Sequence, residues 1–334
     1  MSGENGVKIS VIIPLFNRVS TIEETLNSCF TQDYSFMEVI VIDDGSTDGS
    51  GKLVQDKYKD AVYYRQENQG APAARNKGIE ISTGEYFLLL DAGDSLKPGV
   101  IRRLAELACD DVDMVMGNFT KTYQNGEEKL ITRITEDRIL SGEECIQSCC
   151  LAPSPICKIY KKAFVEKNNV HFSALSIGQD LNFHIKYLLG CNKVHIIPDY
   201  FGTLAIIEGG ISRVYTRKIA DIIDSFMDIQ EFSSKDPVLT KRYDKIRDME
   251  YYHIFWQTIK IPLIKETSER KYVFDRLMNE VRLLNEKCKG AIDKDNLRYW
   301  CRLKVISRLR FIWTSQVFGL IYKPLYTLKT ARHL

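Results

Sequence analysis

Three acidic positions, each following or opening an apolar run, set out the chemistry this chain can do. Asp43 and Asp44 follow Val39-Ile-Val-Ile42, and Asp91 and Asp94 follow Tyr86-Phe-Leu-Leu-Leu90. Asp180 opens an amphipathic stretch at Gly178-Gln-Asp-Leu-Asn-Phe183. Carboxylates at the carboxyl ends of buried strands are how an open α/β sheet meets a ligand. Such groups can accept hydrogen bonds, hold a divalent cation against phosphate oxygens, or take a proton from an attacking hydroxyl. Arg75 lies between them in Asn68-Gln-Gly-Ala-Pro-Ala-Ala-Arg-Asn-Lys-Gly78, and Gly209-Gly-Ile-Ser-Arg213 offers Ser212 and Arg213. An arginine suits bidentate contact with paired phosphate oxygens. Simpler readings stand beside these. Asp43, Ser46 and Thr47 fit a helix-capping turn, Asp94 fits a helix N-terminal turn, and Asp180 fits an N-cap.

The elements that must position these residues alternate. Val7–Ile13, Phe36–Ile42, Ala61–Arg65, Glu85–Leu90 and Asp113–Gly117 read as strands, the apolar ones buried on both faces. A helix after Ser20 or Thr21, one through about Tyr58, Ala71–Ile81 and Pro98–Leu107 read as the intervening helices. Strict alternation implies a parallel sheet with right-handed crossovers. The rhythm breaks at Asn118–Thr135, where Tyr123-Gln-Asn-Gly126 signals a hairpin turn. Ser141–Cys150 and Gly178–Leu189 read as helices, Ile156–Tyr160 as a short strand or turn, and Lys193–Ile197 and Tyr200–Ile206 as two strands. Beyond Thr216 the pattern is helical over Ile219–Phe232, Pro237–Lys260 and Ser268–Lys289. The expected division is a catalytic domain at 1–215 and a helical extension at 216–334.

Taken in order, the segments Ile9–Asn17, Val39–Ser46, Asn68–Gly78 and Tyr86–Asp94 resemble the family 2 glycosyltransferases. The resemblance runs over about residues 8–215. It implies a GT-A fold, α/β with a mostly parallel central sheet and flanking helices, here followed by a C-terminal helical extension. It implies transfer of a sugar from a UDP-sugar to a hydroxyl of a glycan or lipid-linked saccharide, by an inverting mechanism. Carried over by residue, Pro14, Phe16 and Asn17 line the base pocket, Asp44 accepts from the uracil N–H, and Arg75 approaches the same base. Asp91, with Asp94 as a second candidate, holds Mn²⁺ or Mg²⁺. Ser212 and Arg213 close on the diphosphate, and Asp180 is the general base. The segment from Lys158 to Phe164 resembles the family's acceptor-side motif. Three positions depart from the pattern: Gly93 where the second metal-binding acid is usual, Gln179 where Glu is usual, and Ile156 where Trp is usual. Gly93 and Gln179 motivate an alternative, a degenerate, non-catalytic member that binds nucleotide or a partner transferase.

Bulk properties bound the rest. The 334 residues hold one large domain or a domain with an appendage, and 44% hydrophobic with 27% charged residues is ordinary for a globular chain. No dinucleotide fingerprint, phosphate loop or nucleic-acid module occurs. The nine cysteines form no C-x-x-C pair, and the histidines lack ligand spacing. No basic start leads into an apolar core, which makes a cytoplasmic location the expectation. From Asn296 to Leu334 there are eight Lys or Arg residues and no acid. A basic, aromatic end of this kind suits the anionic inner face of a cell membrane, against the plainer reading of a docked helix pair. The apolar helix faces of the extension could also supply a homo-oligomer contact.

Overall fold

The computed structural model describes residues 6–108, 112–147, 158–206, 215–288, 294–309 and 313–314. The chain divides into two compact units, Met1–Ala174 with Gln179–Glu208, and Leu175–Gly178 with Gly209–Leu334.

The first unit is α/β. Its first half runs β1 (Ile9–Leu15), α1 (Ile22–Phe30), β2 (Met37–Asp43), α2 (Ser50–Lys57), β3 (Val62–Arg65), α3 (Ala71–Ile81) and β4 (Tyr86–Leu89). Then come β5 (Ser95–Leu96), α4 (Val100–Leu107), β6 (Met114–Tyr123), β7 (Glu128–Ile131), β8 (Arg138–Leu140) and α5 (Gly142–Gln147). The unit closes with β9 (Lys158–Lys161), α6 (Lys162–Asn168), α7 (Gln179–Gly190) and β10 (Val194–Ile206). The central path of the sheet is β3-β2-β1-β4-β9-β6-β10-β5, with β7 on β6 and β8 on β10. Strands β1 to β4 pair in parallel, as do β6 and β10.

The apolar runs become strands because helices cover both faces. Ile9, Val11, Ile13 and Leu15 pack with Ile22, Leu26, Val100 and Leu104 on one side. On the other side Ile12 and Ile42 meet α3, where the chain passes so close that a Cβ at Gly78 would lie 2.2 Å from Ile12 Cγ2. Each fully buried aliphatic side chain contributes about 1.5–3 kcal/mol. Register then aims the site. Leu15 lies opposite Asp43, and Leu90 N–H donates to the Ile12 carbonyl at 3.0 Å. Residues that follow β1, β2 and β4 therefore emerge along one edge of the sheet.

Two features differ from the expected alternation. The fifth alternating strand, β6, is not the neighbour of β4, because β9 lies between them, antiparallel to both. Lys193–Ile197 and Tyr200–Ile206 form one strand, β10, whose register against β6 shifts between Ile196 and Gly202. Pro198 lies within the shift and lacks the N–H that a regular ladder would use. The wedge has a consequence for α7. Tyr160 on β9 stacks on Phe87 at 5.2 Å and meets Phe183 and Tyr187 of α7 edge-on at 5.5 and 5.0 Å. Leu181 through Leu189 are all buried. Helix α7 is thus pinned by aromatic contacts from β4 through β9.

The second unit is helical: α8 (Asp221–Ser234), α9 (Pro237–Ile246), α10 (Glu250–Thr258), α11 (Thr267–Cys288) and α12 (Lys294–Arg308). Asp236 caps α9, accepting from Val238 and Leu239 N–H with Pro237 at the first turn. The expected single helix over 237–260 is broken by a tighter turn at Arg247–Met249. No glycine or proline lies there, so the break was invisible to local propensity.

Candidate active site

The loop after β1 is stitched to the loop after β2. Asn17 adopts a left-handed φ of 50°, a conformation Asn tolerates better than most residues. Its Oδ1 accepts Thr47 N–H at 2.8 Å, and its own N–H donates to Ser46 Oγ at 3.1 Å. Phe16 beside it is 44% exposed, large enough to offer a ring face to a ligand.

The adjacent aspartates divide their work. Asp43 is wholly buried and accepts from Ser46 N–H and Arg65 Nη1 at 2.8 Å each, and from the Tyr63 hydroxyl. Burial pushes its carboxyl up, but the hydrogen bonds from Tyr63 and Ser46, with the Arg65 charge, hold it below the ordinary carboxylate range. Asp43 is a structural anchor. Asp44 accepts from Gln66 Nε2, Gln69 N–H and Gly70 N–H at 2.8, 2.9 and 2.8 Å. It shapes the turn that launches α3. Asp44 is buried, and these bonds take three of a carboxylate's roughly four acceptor positions.

Arg75, expected to approach the base, has its guanidinium between two carboxylates. Its Nη2 donates to Asp91 Oδ1 at 2.7 Å and its Nη1 to Asp180 Oδ1 at 2.8 Å. The Arg75 side chain is 4% exposed, against 45% for Asp91 and 31% for Asp180. The guanidinium sits 5.4 Å from the Phe172 ring centre. Burial works against its charge, but Asp91 and then Asp180 outweigh that and raise its pKa. Burial raises the Asp180 carboxyl above the ordinary range, with Arg75 pulling it back, Asp91 adding to the rise and Lys158 opposing it. A carboxylate of raised proton affinity is suited to accept a proton near neutral pH.

Asp94, expected beside a cation, is turned inward. It is 8% exposed, and its Oδ1 accepts Ala205 N–H at 2.9 Å. Burial, then the nearby Asp91, pushes its pKa up to about 8. The bond to Ala205 turns the Asp94 carboxylate toward β10 and away from solvent. Among the described residues no three His, Cys, Asp or Glu side chains group to hold a cation. Asp91 does fit as a single carboxylate ligand, because it is half-exposed and a bound diphosphate can supply further oxygens. Ser212, Arg213 and Ile156 lie outside the described residues.

Phe172 enters the site without having been singled out for a role there, and Lys158, expected only as part of the acceptor-side segment, enters beside Asp180. Lys158 is buried and its charge acts on both Asp180 and His184. A lone lysine in the apolar run Ile156-Cys-Lys-Ile-Tyr160 was the available signal.

The family model of glycosyl transferase family 2 matches residues 10–172, which include Asp44, Arg75 and Asp91. That match spans just under half of the chain. The uncharacterized glycosyltransferase YibD of Escherichia coli is 31% identical over 220 residues, covering 62% of this chain and 64% of its own length. Glycosyltransferase GlyG of Streptococcus pneumoniae is 27% identical over 281 residues, covering 73% of this chain and 92% of its own. The chain thus spans just under two thirds of YibD and most of GlyG. Among solved structures, S. aureus TarS 1–349 in complex with UDP-GlcNAc superposes with a TM-score of 0.59 at 20% identity, covering 86% of this chain and 93% of that one. At that identity the likeness concerns the fold, which is of the GT-A type.

Asp94 offers a test of this electrostatic picture. Its folded pKa of about 8 lies above the ordinary aspartate value of 3.8, so the folded state binds the extra proton between them. Stability from this group is complete below the unfolded value and is lost as pH rises through about 8. Asp94→Asn keeps the acceptor for Ala205 and removes the titration. Its stability relative to the natural chain, from urea unfolding, should therefore grow as pH is raised across that window. A difference that stays flat with pH would show that Asp94 is not held protonated.

Proposed function

We propose that this chain is an inverting glycosyltransferase that moves a sugar from a UDP-sugar to a hydroxyl of a glycan or lipid-linked saccharide, in surface polysaccharide or glycoconjugate synthesis. The observation that carries this reading is the pairing of Asp91 and Asp180 on one guanidinium. It brings a carboxylate from the end of a parallel strand and one from the start of α7 to a common place at the sheet edge. Transfer by inversion needs that arrangement: a donor held on one side and a base for the acceptor on the other.

In this reading Pro14, Phe16 and Asn17 flank the uracil, and the remaining acceptor position of Asp44 takes its N–H. The acceptor hydroxyl gives its proton to Asp180 as the oxygen attacks the anomeric carbon. The bond from that carbon to the phosphate oxygen breaks, and UDP departs with the electron pair. Asp91 would hold Mn²⁺ or Mg²⁺, which neutralises charge growing on the leaving diphosphate. Ser212 and Arg213 would close over the same phosphates. Support for the donor class comes from the family match and from the UDP-GlcNAc bound by TarS.

Gly93 and the inward-turned Asp94 favour one rival, a nucleotide-binding member without activity. The two separate on Asp180→Asn, assayed for UDP release from a panel of UDP-sugars with Mn²⁺ alongside UDP calorimetry. We expect turnover to fall by about 10²–10⁴-fold, the usual contribution of a general base, with UDP affinity nearly unchanged. Turnover unaffected by the substitution contradicts the assignment. No turnover by the natural chain on any donor, despite UDP binding, favours the rival.

We also place the protein at the anionic inner face of a cell membrane. Among the described residues no helix is long and apolar enough to cross a bilayer. Instead α12 exposes Lys304, Val305 and Arg308, and α10 exposes Tyr252 and Trp256, an aromatic and basic combination suited to headgroups. The full chain should sediment with phosphatidylglycerol-containing vesicles and not with phosphatidylcholine alone. It should be released at about 1 M salt, where screening shortens to ~3 Å. Equal recovery with both vesicle types, or with neither, would refute this placement.

A further inference from the structure

Positive charge crowds together on one face of the β6–β7 hairpin. Lys121 on β6 stands directly opposite Lys129 on β7 in their antiparallel pairing. Like charges directly opposite each other weaken such a pair. Arg133, just beyond the end of β7, is held beside β6 by the buried Asn118. The Asn118 Oδ1 accepts Arg133 N–H at 2.8 Å and Ile134 N–H at 3.0 Å, and its Nδ2 donates to the Ile134 carbonyl at 2.8 Å. Burial first, then Arg133 and Lys129, hold the half-buried Lys121 ammonium below the ordinary lysine range. The acids of the hairpin lie elsewhere. By alternation Glu128, opposite Thr122, falls on the other face, and Glu127 accepts from Asn125 at the turn. Cations that repel one another in the free chain become favourable to one another's presence once an anion enters among them.

This cluster opens on the sheet edge that carries the carboxylates. Strand β9 is antiparallel to both β4 and β6, so β4 and β6 run the same way and end at the same edge. Leu204 lies opposite Lys121, and the next residue, Ala205, gives its N–H to Asp94. The Asp94 N–H in turn donates to the Asp91 carbonyl at 2.9 Å. With neighbouring strands ~4.8 Å apart, Lys121 stands about 10 Å from that turn. We propose that Lys121, Lys129 and Arg133 bind a phosphate group carried by the acceptor, which makes the acceptor a phosphate-bearing saccharide and not a neutral glycan. The proposal rests on the glycosyl-transfer reading, in which the donor diphosphate is served by the turn after β4. A second anion site on the same edge is then left to the other substrate. Arg133 offers a planar fork for paired phosphate oxygens, and the two lysines add charge around it.

The test is calorimetry on the full chain with the nucleotide site filled by saturating UDP and Mg²⁺. Two probes separate the sources of phosphate: a short glycerol phosphate oligomer for a phosphodiester polymer, and farnesyl diphosphate for a lipid-linked saccharide. At least one should bind the natural chain, and its binding should weaken at about 1 M salt, where screening shortens to ~3 Å. Replacing the cluster together, by Lys121→Gln, Lys129→Gln and Arg133→Gln, should weaken that probe by about tenfold or more, the loss expected for charged hydrogen bonds. UDP affinity of the same variant should stay within about twofold of the natural chain. Lys304→Gln with Arg308→Gln, on α12, should leave probe binding unchanged. The proposal is overturned if neither probe binds, if the triple variant binds as well as the natural chain, or if the α12 variant loses as much. Should the triple variant fail to fold, Lys129→Gln alone decides, by the same loss in smaller measure. A natural chain that binds no UDP would sink the nucleotide-sugar reading, while the loss of probe affinity in the variant still judges the anion site.

Discussion

A buried guanidinium cannot be left without counter-charge, and that constraint organises the site of this protein. Stripping one partner from a buried ion pair typically costs ~3–5 kcal/mol. With Arg75 almost wholly enclosed, two carboxylates from distant parts of the chain must reach it. Helix α3, the turn after β4 and the start of α7 are therefore required to meet. The close pass of α3 over β1 at Gly78, the wedge of β9 and the aromatic chain from Phe87 to Phe183 all serve that meeting. The packing that stabilises the fold and the packing that aims the carboxylates are the same contacts.

Local sequence chemistry is divided with equal economy at the end of β2. Two neighbouring aspartates look alike in the sequence, yet the pleat sends their side chains to different surroundings. Asp43 is committed to Tyr63, Arg65 and Ser46, which fixes the loop after β2 and the next strand. Asp44 gathers the amides of Gln69 and Gly70, which fixes the approach to α3. The ligand role proposed for Asp44 therefore comes on top of a loop-shaping one. The helix-capping expectation for Asp43, Ser46 and Thr47 does not hold, since α2 starts at Ser50 with Gly49 at its N-cap and no side-chain cap.

Much of the α/β architecture could be read from the chain because it is written in short-range pattern. Continuous apolar runs such as Ile9–Leu15 mark strands covered on both faces, and Gly126 marks the hairpin between β6 and β7. What escaped was long-range or irregular. The four residues of β9 read equally as a short strand or a turn, and nothing local says that it enters between β4 and β6. The runs on either side of Pro198 read as two strands where a shifted register makes one. At the site, Asp91, Asp180 and Arg75 could each be singled out from their motifs, but the pairing of Arg75 with both carboxylates could not. Residue types can name a carboxylate, whereas burial decides whether it meets solvent, as Asp91 does, or a backbone amide, as Asp94 does.

The most direct measurement is a crystal structure of the full chain with UDP and Mn²⁺. Convergence of these side chains on a nucleotide predicts uracil against Phe16 and Asn17 with its N–H toward Asp44. It also predicts the diphosphate turned toward Asp91, and Asp180 beyond it. UDP bound on another surface, or a sheet edge left empty at saturating nucleotide, would contradict it.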